Sequence, residues 1–192
     1  MRQMAANMSE TRDKIVAMAD RLVRTQGFNA FSYKDIAAPL EIKNAAVHYH
    51  FPAKADLGIE VVEQEIEKFR SQTSRWKKLP EDEQVVKLTE VFRRHSQEGN
   101  ICLMGSLAPD FRTLSPAMQA KVLEMANAII DWLTQCLEQG RKQGRLHFKG
   151  TAHTRALIII SNLQASLLLS RVIGSSAIRD ITEQLLADLR QK

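Results

Sequence analysis

The sequence predicts an all-α protein of about nine helices. Three observations carry that expectation. Turn formers are sparse, with 8 Gly and 5 Pro in 192 residues. Aromatic residues are only 6% of the chain, which argues against many short packed strands. Apolar residues recur at steps of three and four through long stretches without a turn signal. With 44% apolar residues the chain can bury one large core, or two that share a helix, without disulfides or metal.

Ile15, Met18, Ala19, Leu22 and Val23 fall on one helical face, with Arg12, Asp13, Lys14, Asp20, Arg21 and Arg24 on the other. Gly27 is a suitable stop. Ser32-Tyr33-Lys34-Asp35 reads as a capping box, Ser32 accepting from a backbone N–H and Asp35 reaching back, so a second helix starts at Tyr33. Pro39 limits it to about Ala38, because the residue before a proline resists helical geometry. A turn through Leu40-Glu41-Ile42 leads to a third short helix from about Lys43 to His50. Phe51-Pro52 breaks the pattern, and a long fourth helix resumes near Ala53 with Leu57, Val61, Val62, Ile66, Phe69 and Trp76 facing inward.

Leu79-Pro80 followed by Glu81-Asp82-Glu83 sets acidic groups at the positive end of a fifth helix whose inner face carries Val85, Leu88, Phe92 and His95. Gly99-Asn100 ends it. A short helix is expected from Leu103 to Phe111, and Ser115-Pro116 supplies a cap with proline in the first helical position. Met118, Val122, Met125, Ile129, Trp132, Leu133 and Cys136 line the next helix, which stops between Gly140 and Gly144. From Ala156 to Ser170 no residue is charged; that run is short of a membrane span and reads as a helix buried on nearly every side. The last helix, Ser176 to about Arg190, has Ile178, Ile181, Leu185 and Leu189 on one stripe. With its neighbour it could pair against a second copy of both, giving a four-helix dimer interface over about 152–190.

The net charge of +5 is compatible with a polyanionic partner, yet up to Leu57 eight Lys/Arg face six Asp/Glu, so the front segment does not concentrate it. The first fourteen residues lack an apolar secretory core, so the chain is expected to stay in the cytoplasm. Cys102 and Cys136 are far apart and read as two reduced thiols. No paired-carboxylate, Ser/His/Asp, metal-ligand or phosphate-loop spacing is present, so no catalytic residue, cofactor or metal is expected. His48 and His50 point about 200° apart on a helix and cannot share one ion.

Three helices in about 45 residues, the last two short and joined by a tight turn, form the arrangement of a helix-turn-helix, whose final helix enters the major groove. The run from Gly27 to Leu57, GFNAFSYKDIAAPLEIKNAAVHYHFPAKADL, resembles the helix-turn-helix signature of the tetracycline-repressor (TetR/AcrR-like) regulators. Gly27-Phe28 matches the turn after helix one, Ser32 the cap of helix two, and Asp35-Ile36-Ala37 its body. Tyr49 and Phe51 match the aromatic end of the reading helix, and Lys54 with Leu57 the start of helix four. The resemblance covers Thr11 to about Val62 by motif and the remainder only by helix count and length. It departs at Glu41, where glycine is usual, at Pro39, and at Lys43, which replaces a small hydroxyl cap.

The resemblance implies a division into residues 1–57 for DNA binding and 58–192 for effector binding and dimerisation. It implies Ser32, Tyr33, Lys34, Lys43, Asn44, Ala45, His48 and Tyr49 at the groove or backbone, and Lys54 on a phosphate. It also implies a homodimer on a pseudo-palindromic operator, repressing until a small-molecule or electrophile effector releases it. Lys43 and Lys54 suit phosphates, and Asn44 suits a base edge, adenine above all. Asn100 to Leu107, with Pro109-Asp110-Phe111 and Ser115-Pro116, resembles the N-ethylmaleimide-responsive branch, which has a cysteine at the position of Cys102. Cys102 thus reads either as a sensor at a helix start or as a small buried hydrophobe. Phe92, His95, Met104, Phe111, Met125 and Trp132 read either as the lining of an effector cavity or as simple core. The rival functional class is an all-helical dimeric adaptor without specific DNA binding.

Overall fold

A computed structural model of the chain describes residues 2–191, with side chains from residue 8 onward. The expected segment ends Met1 and Lys192 lie outside the described residues. Among these there are nine α-helices and no strand: α1 Arg2–Gln26, α2 Tyr33–Ala37, α3 Asn44–His50, α4 Lys54–Trp76, α5 Glu81–Gln97, α6 Leu103–Leu107, α7 Pro116–Lys142, α8 Ala152–Ile173 and α9 Ser176–Arg190, with a 3-10 turn at Phe111–Thr113. The short helix expected to run to Phe111 therefore stops at Leu107 and is followed by a separate turn. Ser115 accepts from Met118 N–H at 3.3 Å, the cap that its position before Pro116 calls for.

The chain forms two compact units, and the division differs from the expected break after residue 57. The first contains the chain up to Glu65 together with Leu103–Met125; the second contains Ile66–Cys102 and the chain from Ala126 onward. Helices α4 and α7 contribute residues to both.

In the first unit, Ile15, Val16, Ala19 and Val23 of α1 are buried with Phe28, Phe31, Ile36, Val47, Leu57, Val62, Leu107 and Met118. Burying such side chains is the dominant favourable term in folding a unit of this size. A β-carbon at Gly58 would lie 2.6 Å from the end of Met118 and 2.8 Å from Phe28, so only glycine permits this close approach on α4. Arg24, 2% exposed, lies inside a carboxylate cage, its Nε on both oxygens of Asp20 and one amino group 2.8 Å from Glu65. Arg12 makes a two-pronged pair with Glu60 at 3.0 and 2.7 Å. Both arginines tie α1 to α4, and the fork geometry makes each pair directional.

The second unit buries Val85, Leu88, Phe92, Leu133, Leu137, Ile159, Leu163, Leu167, Ile178 and Leu189. Helix α8 turns inward Ala152, Ala156, Ile159, Ile160, Leu163, Ser166 and Leu167. It is not buried on nearly every side: Leu157, Ile158, Leu168, Leu169, Val172 and Ile173 are exposed, Val172 at 83%. The charge-free run sits within a 22-residue helix that is long and apolar enough to cross a membrane by length and composition. Phe69, Trp76, Ile129 and Trp132, expected inside, are half-buried.

Candidate nucleic-acid interface

Helix α2 starts where the capping box places it. The Asp35 carboxylate accepts from both the N–H and the hydroxyl of Ser32 at 2.7 Å, which holds its pKa below the usual carboxylate value. The helix ends at Ala37, just short of Pro39, and Ala38 N–H still reaches Lys34 O at 3.0 Å. The turn closes through Glu41 N–H to Ala38 O and Ile42 N–H to Ala37 O, at 3.2 and 3.1 Å. Closure puts Glu41 at φ +54, the left-handed conformation for which glycine is the usual residue. Lys43 then stands in extended backbone at the start of α3 and gives it no side-chain cap.

Val47 anchors α3 with no exposed surface, while Asn44, Ala45, His48 and Tyr49 face solvent, Tyr49 at 70%. Ser32, Lys34 and Lys43 are exposed as well. These seven belong to two short helices and their caps, and they place two cations, an amide, a hydroxyl, two aromatic donors and a small methyl in the open. That inventory can contact phosphate oxygens and base edges together.

Tyr33 and Lys54 have other employment. Tyr33 is buried, its hydroxyl donates to Phe51 O at 2.7 Å, and its ring meets His48 edge-on at 4.6 Å; desolvation pushes its pKa up to about 12. It therefore orients the exposed His48 while its own hydroxyl is engaged. The Lys54 ammonium donates to the carbonyls of Phe28 and Phe31 and sits 4.0 Å from the Phe31 ring centre and 4.7 Å from that of Phe28. Burial pulls its pKa below the usual lysine value. A lysine bound in this way holds the loop before α2 through its ammonium.

Sequence reasoning missed the second support of that loop. Asp110 accepts from Asn29 N–H at 3.0 Å, and the Asn29 amide donates to the Thr113 hydroxyl at 2.8 Å. These partners are more than eighty residues apart, and no local pattern signals the pairing.

The residues expected around an effector are divided between the two units. Phe92, His95 and Cys102 are buried and Trp132 half-buried in the second unit; Met104 and Phe111 are half-buried and Met125 buried in the first. Cys102 is 9% exposed. Cys136 donates to Glu81 O at 3.5 Å, and burial pushes its thiol up to about 12, a value that suppresses thiolate chemistry. Among the described residues no three His, Cys, Asp or Glu side chains are placed to hold a metal ion.

Residues 15–61 match the family described as Bacterial regulatory proteins, tetR family. The chain is similar to the HTH-type transcriptional repressor NemR of Escherichia coli strain K12, 22% identical over 169 residues that span 82% of this chain and 85% of that protein. It is similar along its length to two solved structures. The TetR transcriptional regulator from Legionella pneumophila is 31% identical with a TM-score of 0.83, over 93% of this chain and 97% of that one. The TetR-family transcriptional regulator from Agrobacterium tumefaciens is 28% identical with a TM-score of 0.90, over 96% and 100%. With its helix-turn-helix and its all-helical remainder accounted for, the chain belongs to the TetR family of bacterial regulators.

Proposed function

We propose that this TetR-family regulator is a cytoplasmic, non-enzymatic repressor that binds a pseudo-palindromic operator as a homodimer and leaves it when a small-molecule effector binds. The observation that carries the DNA-reading part is the exposed face of Lys34, Lys43, Asn44, Ala45, His48 and Tyr49 on a helix pair anchored by Val47 and Ile36. The first unit is the reader and the second serves effector binding and dimerisation. The similarity to NemR, named a transcriptional repressor, supports repression over activation.

Dimerisation is assigned to α8 and α9. Leu157, Ile158, Leu168, Leu169 and Val172 leave an apolar stripe of a size that soluble proteins cover. Two reader helices then contact successive major grooves about 34 Å apart. The low exposure of Cys102 favours a non-covalent effector over an electrophile, since a reactive thiol must be accessible as its thiolate.

The test is a gel-shift titration of purified protein on the DNA upstream of its own gene, with competitor DNA present. Saturable, competitor-resistant binding at one dimer per site supports the reading. Equal binding to any duplex, or none, sends it back to the dimeric adaptor.

A further inference from the structure

The loop between α1 and α2 has little backbone bonding of its own: Ala30 N–H to Gly27 O, at 3.4 Å, is its one internal bond among the described residues. Its position is set from outside. Lys54 on α4 donates to the Phe28 and Phe31 carbonyls, and the link between α6 and α7 holds Asn29 in a closed set of hydrogen bonds. The Asp110 carboxylate accepts from Asn29 N–H at 3.0 Å, the Asn29 amide donates to the Thr113 hydroxyl at 2.8 Å, and that hydroxyl donates to Asp110 O at 2.7 Å. The link is itself braced. Thr113 N–H reaches Asp110 O at 2.8 Å, and the Gln119 amide on α7 donates to the carbonyls of Phe111 and Leu114, both at 3.0 Å. All of these groups belong to the first unit. Asn29 stands three residues before Ser32, whose box with Asp35 starts α2.

We propose that Asp110 and Thr113, acting through Asn29, are positioning residues for operator reading: they hold the start of α2, and with it the α2–α3 pair, in the arrangement that fits base edges. This role rests on the repressor reading. A helix of five residues does not keep its own place without supports. Ile36 anchors it from inside, and the loop before Ser32 sets the direction of its first turn. Base contacts need placement within about 0.5 Å, whereas a cation attracts a phosphate over a longer distance. Loosening the clasp therefore lowers the fraction of molecules ready to read, and apparent operator affinity falls by that fraction while binding to any other duplex stays. Asn29 and Thr113 are exposed, so the bond between them adds little to global stability. A direct attraction of Asp110 to DNA is excluded by sign, since loss of a carboxylate would by charge alone raise affinity for every duplex.

The test compares the full-length parent with Thr113→Val, Thr113→Ser, Asp110→Ala and Asn29→Ala on operator and scrambled duplex, well below the melting temperature and at several salt concentrations. Thr113→Val removes the hydroxyl with shape and charge kept. It should weaken operator binding about fivefold and leave scrambled binding and the salt slope unchanged. Thr113→Ser, which keeps the hydroxyl, should bind like the parent. Asp110→Ala should also lose operator affinity although it removes a negative charge. Adding Thr113→Val to Asn29→Ala should cost nothing further, since the pair is already broken. In DNA-free protein, amide exchange at Asn29 should quicken in Asp110→Ala while the buried helices keep their protection. Unchanged operator affinity in Thr113→Val, equal losses on both duplexes, or unaltered exchange at Asn29 overturns the proposal. A parent protein that binds operator and scrambled duplex alike is a separate failure: it removes the repressor reading and this role with it.

Discussion

Glu41 occupies a left-handed backbone conformation at the turn between α2 and α3, where the tight hydrogen bonds from Glu41 and Ile42 leave no other geometry. A side chain in that region costs about 1–2 kcal/mol relative to the right-handed one, and glycine removes that cost while adding unfolded-state entropy. Glu41→Gly is therefore expected to stabilise the protein by about 0.5–1 kcal/mol in denaturant titration, with operator affinity unchanged. Lys54→Met should act in the opposite direction. It leaves the Phe28 and Phe31 carbonyls without their ammonium donor and should cost about 1–3 kcal/mol in the same measurement. If Lys54 instead worked only through phosphate, the variant would keep its stability and lose salt-dependent DNA affinity.

Glu60 provides the pH dependence at this scale. The Arg12 hydrogen bond lowers its folded pKa below the 4.5 of an ordinary glutamate. A depressed carboxylate stabilises the fold above its unfolded pKa, and that contribution disappears as pH falls through the lowered value. Thermal melts between neutral and acidic pH should show a shallower acid decline for Glu60→Gln than for the parent, with the two curves converging below the folded pKa.

At the scale of elements, the periodic helices and their caps were legible because local chemistry decides them. The Ser32–Asp35 box, Pro39, Ser115-Pro116 and the two-faced pattern of α1 each act within one or two turns. Helix α6 stops at Leu107, two residues before Pro109, as α2 stops two residues before Pro39, so the expected extension to Phe111 runs past a signal that the sequence does carry. Elements set by distant partners were not legible. The inward use of Lys54 depends on a loop twenty-odd residues away, and the Asp110–Asn29 support on one more than eighty away. The effector candidates rest largely on apolar residues at helical spacing, a pattern that core packing produces equally. Helix α8 marks the same limit. Its lack of charge reads as all-round burial in a single chain, whereas the structure leaves six of its large apolar residues exposed. Leu168→Glu, on that stripe, is expected to shift the protein from dimer to monomer in sedimentation while leaving helix content intact. A protein that remains dimeric would move the interface elsewhere.

For the whole molecule, the proposed division of work follows the two units. One presents the helix pair, and the other contains the exposed apolar stripe of α8, while α4 and α7 contribute residues to both. Any effect of a ligand on DNA affinity must appear as different affinities for two states of the dimer, reciprocal between ligand and operator. The central claim is narrower: the exposed face of α2 and α3 reads sequence, with Lys34 and Lys43 on phosphates and Asn44 on a base. The measurement that tests it most directly is the affinity for operator and scrambled duplex, at several salt concentrations, for the parent and for Asn44→Ala and Lys43→Ala. Asn44→Ala should lower operator affinity by about 1–3 kcal/mol and leave scrambled binding unchanged. Lys43→Ala should weaken both and reduce the salt slope by about one. Equal losses on both duplexes for Asn44→Ala, or an unchanged salt slope for Lys43→Ala, would contradict the account.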